Sequence, residues 1–405
     1  MPDDGHGMTP VPLEPCFAVT GIGSLPHTQP EDAVRDVLAS CPELPFWPQL
    51  PRRSPEEDMY RQFSAGLPGL EDVETGGRGW RRGPGTEARL ERVYRDFVAL
   101  SREARDPSDA WGLSAAEAAG LDALVQVLRG GEGVPGVGPS TGTGAPPEAG
   151  APERGGSGTG RRVLGIKGQV TGPVSLGLAV TDDRGRALLY EEDLMDGIVR
   201  GLALRARWQE RLLARCLGGG DALHRVLVSV DEPYLGTFGS AFFPYRPETV
   251  RAYFEVFAET LEGTWGVHCC ANTDWGFLLE LPVRFVSFDA YAYGSRLVLY
   301  PEAVRRFVER GGLVAWGVVP TTSPALAETS AAELIRRLLD LIGALVGRGV
   351  PEGRLVRQSL VTPACGLAGL SPDEAGRALS LARAVSEAVR AELGLIRHDC
   401  NCLGG

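Results

Sequence analysis

The feature that most limits what this chain can fold into is an alternation. Eight short runs, rich in apolar, β-branched and aromatic residues, are separated by longer stretches in which apolar residues recur every three or four positions. The runs are 17–22 (FAVTGI), 45–50 (PFWPQL), 163–170 (VLGIKGQV), 226–230 (VLVSV), 264–268 (TWGVH), 284–288 (RFVSF), 312–317 (GLVAWG) and 357–361 (RQSLV). Helical spacing is seen at 31–40, 191–217, 247–263, 301–311, 331–349 and 371–394; the last opens on Ser371 with an acidic first turn and ends at a glycine. Strands alternating with helices form βα units, each adding one parallel strand and covering it with a helix. Eight such runs predict an α/β fold, a single (β/α)8 barrel of TIM type over 1–405. An open doubly wound sheet is the alternative, weakened because no GxGxxG or GxxxxGKS follows any run.

One stretch does not fit the alternation. Residues 131–160 contain 11 Gly and 5 Pro and almost nothing apolar, so they cannot offset their own ordering entropy. They are expected to be a flexible low-complexity insertion. Because they follow helical segments at 85–105 and 114–129 and precede a strand-like run, they interrupt a crossover instead of dividing two domains.

Composition removes several classes of function. With 41 Lys plus Arg against 52 Asp plus Glu, the net charge is −11, which argues against nucleic-acid binding by bulk charge. No apolar run approaches the length of a membrane span, and the first residues lack the basic and apolar regions of a secretory signal. A cytoplasmic protein without a membrane segment is expected. Eight cysteines in so long a chain are not a regular disulfide framework, and are expected to be reduced thiols, some of them metal ligands.

In a barrel of this kind, chemistry sits just beyond the C-terminal ends of the strands. That is where the unusual residues fall: Gly23-Ser24, Thr171-Gly172-Pro173, Asp231-Glu232-Pro233, His268 with Cys270, Asp289, and Cys365. His268 and Cys270 are two apart, so an extended strand end directs both to one side. With Cys365 they offer an imidazole and two thiolates, a set suited to zinc with an exchangeable position, and Asp289 is a candidate fourth ligand. Packed strand residues and a buried free thiol are the alternative reading of the same residues. Asp231 is expected to project into the mouth, where it could pair with a substrate ammonium. Arg52 and Arg53, directly after the second run, could clamp a carboxylate. Lys167 and Gln169 lie within the third run and take no assigned role. The tail from His398 through Cys400 and Cys402 also has metal-ligand composition.

Taken in order, Thr20-Gly21-Ile22-Gly23-Ser24-Leu25-Pro26, Thr171-Gly172-Pro173-Val174, Val230-Asp231-Glu232-Pro233, His268-x-Cys270 and Pro363-Ala364-Cys365-Gly366-Leu367 resemble the catalytic barrel of the cobalamin-independent methionine synthase family, within the uroporphyrinogen-decarboxylase-like superfamily. The resemblance spans Phe17 to about Gly394. It implies a zinc held by His268, Cys270 and Cys365, with Asp289 where the family has a glutamate. It also implies a homocysteine-like substrate, its carboxylate on Ser24 and its ammonium on Asp231, and methyl transfer to the thiol. Three departures are plain. The chain has no room for the family's additional N-terminal, folate-binding barrel; Thr322 stands where the family places a histidine that helps activate the donor; and Arg53 falls near a glutamate that helps hold the substrate ammonium. A methyl-corrinoid protein or another activated methyl carrier is therefore the expected donor in place of methyltetrahydrofolate, with a small-molecule thiol as acceptor, homocysteine or in its place a thiol acid gripped by Arg52 or Arg53. Decarboxylase-like chemistry on the same barrel, and a non-catalytic zinc- or thiol-binding barrel, are the alternatives.

Overall fold

Seven parallel strands form in chain order: β1 (Ala18–Val19), β2 (Ile166–Thr171), β3 (Val226–Asp231), β4 (Thr264–Cys269), β5 (Phe285–Phe288), β6 (Leu313–Val319) and β7 (Ser359–Pro363). In this computed structural model residues 13–70, 79–102, 105–130, 163–241 and 243–395 are described. The 131–160 insertion and the Cys400/Cys402 tail lie outside them. The strand order is β1-β7-β6-β5-β4-β3-β2, so the sheet curls and leaves β1 and β2 as its two edges. Every strand residue except Asp231 is buried. Burial on both faces is why the strands read in sequence as short continuous apolar runs.

The run at 45–50 departs from expectation. It makes isolated parallel bridges, Phe46 with Lys167 and Gln49 with Ser24, and no ladder. Proline explains this, since Pro45 and Pro48 have no N–H to donate. The segment nevertheless reaches both edges. Trp47 N–H donates to Lys167 O at 2.9 Å and Lys167 N–H to Pro45 O at 2.9 Å, while Gln49 N–H donates to Gly23 O at 3.0 Å and Leu25 N–H to Gln49 O at 2.8 Å. The eight expected strands are thus seven, with an irregular segment in the remaining place.

The helices cover the outer face. Glu192–Cys216 and Pro372–Glu392 are the longest, and the second opens on a complete capping box between Ser371 and Glu374. The Ser371 start and acidic first turn were readable from the sequence; the box adds the reciprocal bond between residues three apart. Alternate strand residues Val226, Val228, Val230, Val267, Val286 and Phe288 join the large apolar core beneath the helices. The other parity faces inward. There Leu44, Leu227, Phe285, Leu313, Ala315 and Leu360, with Leu13 and Ala18, form a separate apolar cluster near the strand N-termini. Farther along the same inner face come Gln169, Thr171, Asp231, His268, Ser287 and Thr362. The interior is an apolar floor below a polar mouth. Among the described residues no helix is long and apolar enough to cross a membrane.

Candidate metal centre at the strand ends

His268 lies in register between Asp231 on β3 and Ser287 on β5. Its Nδ1 is 3.0 Å from Ser287 Oγ, and its Nε2 is buried without a hydrogen-bond partner. A ring nitrogen of His268 and the sulfurs of Cys270 and Cys365 lie within 4.8 Å of one another. Tetrahedral zinc, with bonds of roughly 2.0–2.3 Å, would place such atoms about 3.5–3.8 Å apart, so small side-chain rotations would close the set. The donors fit the metal. With Nδ1 engaged by a hydroxyl, the lone pair left over is on Nε2, and a buried polar atom without a partner is the unusual case in a folded protein. The hydrogen bond between the two thiols holds Cys270 below its ordinary value and pushes Cys365 up, burial adding to the rise.

Ser24 and Asp231 are brought to the same end of the sheet. A Cβ on Gly366 would sit 2.1 Å from Ser24 Oγ, and Leu367 N–H donates to Ser24 O at 2.8 Å, so Ser24 packs beside the Cys365 loop. Glycine at 366 is what allows this approach. Asp231 Oδ1 accepts a hydrogen bond from Ser229 Oγ at 2.7 Å. Burial raises the Asp231 carboxyl, while the charge on Lys167 opposes the rise.

Other expected site residues are placed differently. Asp289 caps the helix Ala290–Leu297, accepting from Ala292 N–H at 2.8 Å, and is not one of the clustered ligand groups. Arg53 is an ion-pair partner of the buried Glu57 at 3.0 Å, and Arg52 is exposed. Arg53 also donates to Ala116 O at 3.4 Å. Thr322 is exposed and precedes the helix Ser323–Glu328 without a side-chain capping bond. Cys41, Cys216, Cys269, Cys270 and Cys365 are free thiols, whereas Cys16 is disulfide-bonded, against the expectation of reduced thiols throughout.

Three residues at this end of the sheet had no role in the sequence reading. Ser287 orients His268, as above. Glu232 is wholly buried and accepts from Val174 N–H at 2.9 Å and Ser175 N–H at 2.7 Å; burial pushes it up to about 7 despite these bonds. A Cβ on Gly172 would lie 2.1 Å from its Cδ. The Thr-Gly-Pro and Asp-Glu-Pro motifs are thus two halves of one contact. Lys167, 2% exposed, donates to Ile22 O at 2.5 Å.

No family model matches the chain, and no curated protein matches it. Among solved structures it is similar to a B12-independent methionine synthase from Shewanella sp. W3-18-1 in complex with selenomethionine, with a TM-score of 0.42 and 19% identity over 57% of this chain and 64% of that one. It is also similar to a methyltransferase from Methanosarcina mazei, with a TM-score of 0.32 and 14% identity over 54% of this chain and 58% of that one. The chain spans less than two thirds of the length of each.

Proposed function

We propose that this chain is a zinc-dependent methyltransferase that methylates a thiol, homocysteine to methionine, on a (β/α)8 TIM-type barrel in which 45–50 stands in the place of the eighth strand. One observation carries the reading: an imidazole nitrogen without a partner and two thiols converge at the polar mouth of the sheet. His268, Cys270 and Cys365 would hold the metal. When bound, zinc removes the proton of a coordinated thiol and presents a thiolate at neutral pH. The protein's own part is placement. Ser24 beside the Cys365 loop and Asp231 across from His268 would fix the carboxylate and ammonium of the amino acid, leaving its sulfur toward the ligands. Methyl transfer then needs an in-line approach, the new S–C bond forming as the bond to the carrier breaks. The reading takes a methyl-corrinoid protein as donor because Thr322 stands where the resembling family has its histidine.

The test is metal content by mass spectrometry on protein purified without added metal, wild type beside Cys365→Ser, together with methylation of homocysteine from methylcobalamin or methyltetrahydrofolate. About one zinc per chain is expected in the wild type, lost with activity in a variant whose circular dichroism is unchanged. A zinc-free wild type, or full methylation by zinc-free Cys365→Ser, overturns the reading.

A further inference from the structure

Of the 41 basic residues, 40 are arginine and one is lysine, and that lysine is Lys167. In a chain that uses guanidinium groups everywhere else, the only ammonium is buried inside the curled sheet. It rises from a position paired with Leu227, at the apolar floor, to the carbonyl of Ile22 beyond the end of β1. An ammonium has three protons, and among the described residues this one makes a single hydrogen bond, to Ile22 O. Among the described residues no carboxylate lies within ion-pair distance of it, although Asp231 is the charge that acts on it. Polar atoms without partners surround the same end of the inner face: Thr20 Oγ1, Gln169 Oε1, Thr171 Oγ1 and Thr362 Oγ1, all buried. Ile22 is two residues before Ser24, which touches Gly366 beside Cys365.

We propose that Lys167 binds the carboxylate of the thiol substrate and, with Asp231 supplying the opposite charge, selects a zwitterionic α-amino acid over a simple thiol. This rests on the proposed function and adds to it a binding residue. It also explains why an ammonium stands here. A compact point charge fits a confined interior that a planar five-donor fork would overfill.

The lone lysine makes the test direct. Zinc-loaded protein carrying nitrogen-15 lysine has one side-chain ammonium resonance, which should move on adding homocysteine or mercaptobutyrate and stay in place with mercaptopropylamine, which lacks a carboxylate. By calorimetry, Lys167→Met should weaken the two acids by about tenfold to hundredfold and leave mercaptopropylamine unchanged. The inference is overturned if the resonance ignores the acids, or if Lys167→Met binds them as tightly as wild type or loses all three thiols alike. Failure of mercaptopropylamine to bind the zinc-loaded wild type is a different result: it removes the zinc–thiol reading itself.

Discussion

A single hydroxyl decides which nitrogen of His268 is left without a partner. Ser287 Oγ stands 3.0 Å from Nδ1, so the ring is oriented by a neighbour that is not itself one of the three clustered groups. Ser287→Ala should lower zinc affinity by about tenfold to hundredfold, measured by competition with a chromophoric chelator, with little change in melting temperature. Unchanged affinity would deny Ser287 this role. The residues of the centre differ in how legible they were. His268 and Cys270 declare themselves by spacing along one strand, and Cys365 by its place after another. Ser287 and Lys167 do not, because their meaning depends on which residue of the next strand lies opposite, and register is a property of pairs of strands. The ion pair of Arg53 was not legible either: its partner, Glu57, is four residues away and buried only by the fold.

At the scale of elements, the longer helices were legible to within about five residues, since caps and apolar periodicity are local signals, whereas short ones such as Pro173–Ala179 and Trp275–Glu280 are too brief to show a period. The run at 45–50 was not, because apolar character is shared by strands and by buried segments whose prolines forbid a ladder. The helix Glu192–Cys216 exceeded what periodicity conveys. Arg207 is almost buried and reaches Asp106 at 2.9 Å, Glu210 at 2.9 Å and Glu262 at 2.8 Å, pinning two loops to one helix. Burial alone would raise Asp106, but hydrogen bonds from Ser108, Arg207 and Arg211 outweigh it and hold the carboxyl down at about 2. Its folded value lies below the ordinary 3.8, so its contribution to stability is present above that pH and is lost as pH falls through about 2. Asp106→Asn should cost on the order of 2 kcal/mol near neutrality, the difference from wild type shrinking between about pH 4 and pH 2 in urea titrations. A difference independent of pH would mean that the pairing with Arg207 carries no net charge term.

For the whole molecule, the decisive contrast is between the two ends of the interior. Leu227, Phe285, Leu313 and Leu360 fill one end, and the His268, Cys270 and Cys365 cluster, Asp231 and the Lys167 ammonium lie toward the other. Neither the floor nor the way the 45–50 segment spans β1 and β2 could be assigned from single runs, because both are products of the curl. The filled floor closes one end of the interior, so under the proposed function acceptor and carrier share the polar mouth, and a shared mouth imposes an order of traffic. An acceptor seated below a carrier must enter before it and leave after it. Under the proposed function, methionine should therefore inhibit competitively against homocysteine but not against the methyl donor, whereas a random pattern of product inhibition would require a second way out. The same plug of apolar side chains that completes the core would thus make the enzyme keep its product until the spent carrier has gone.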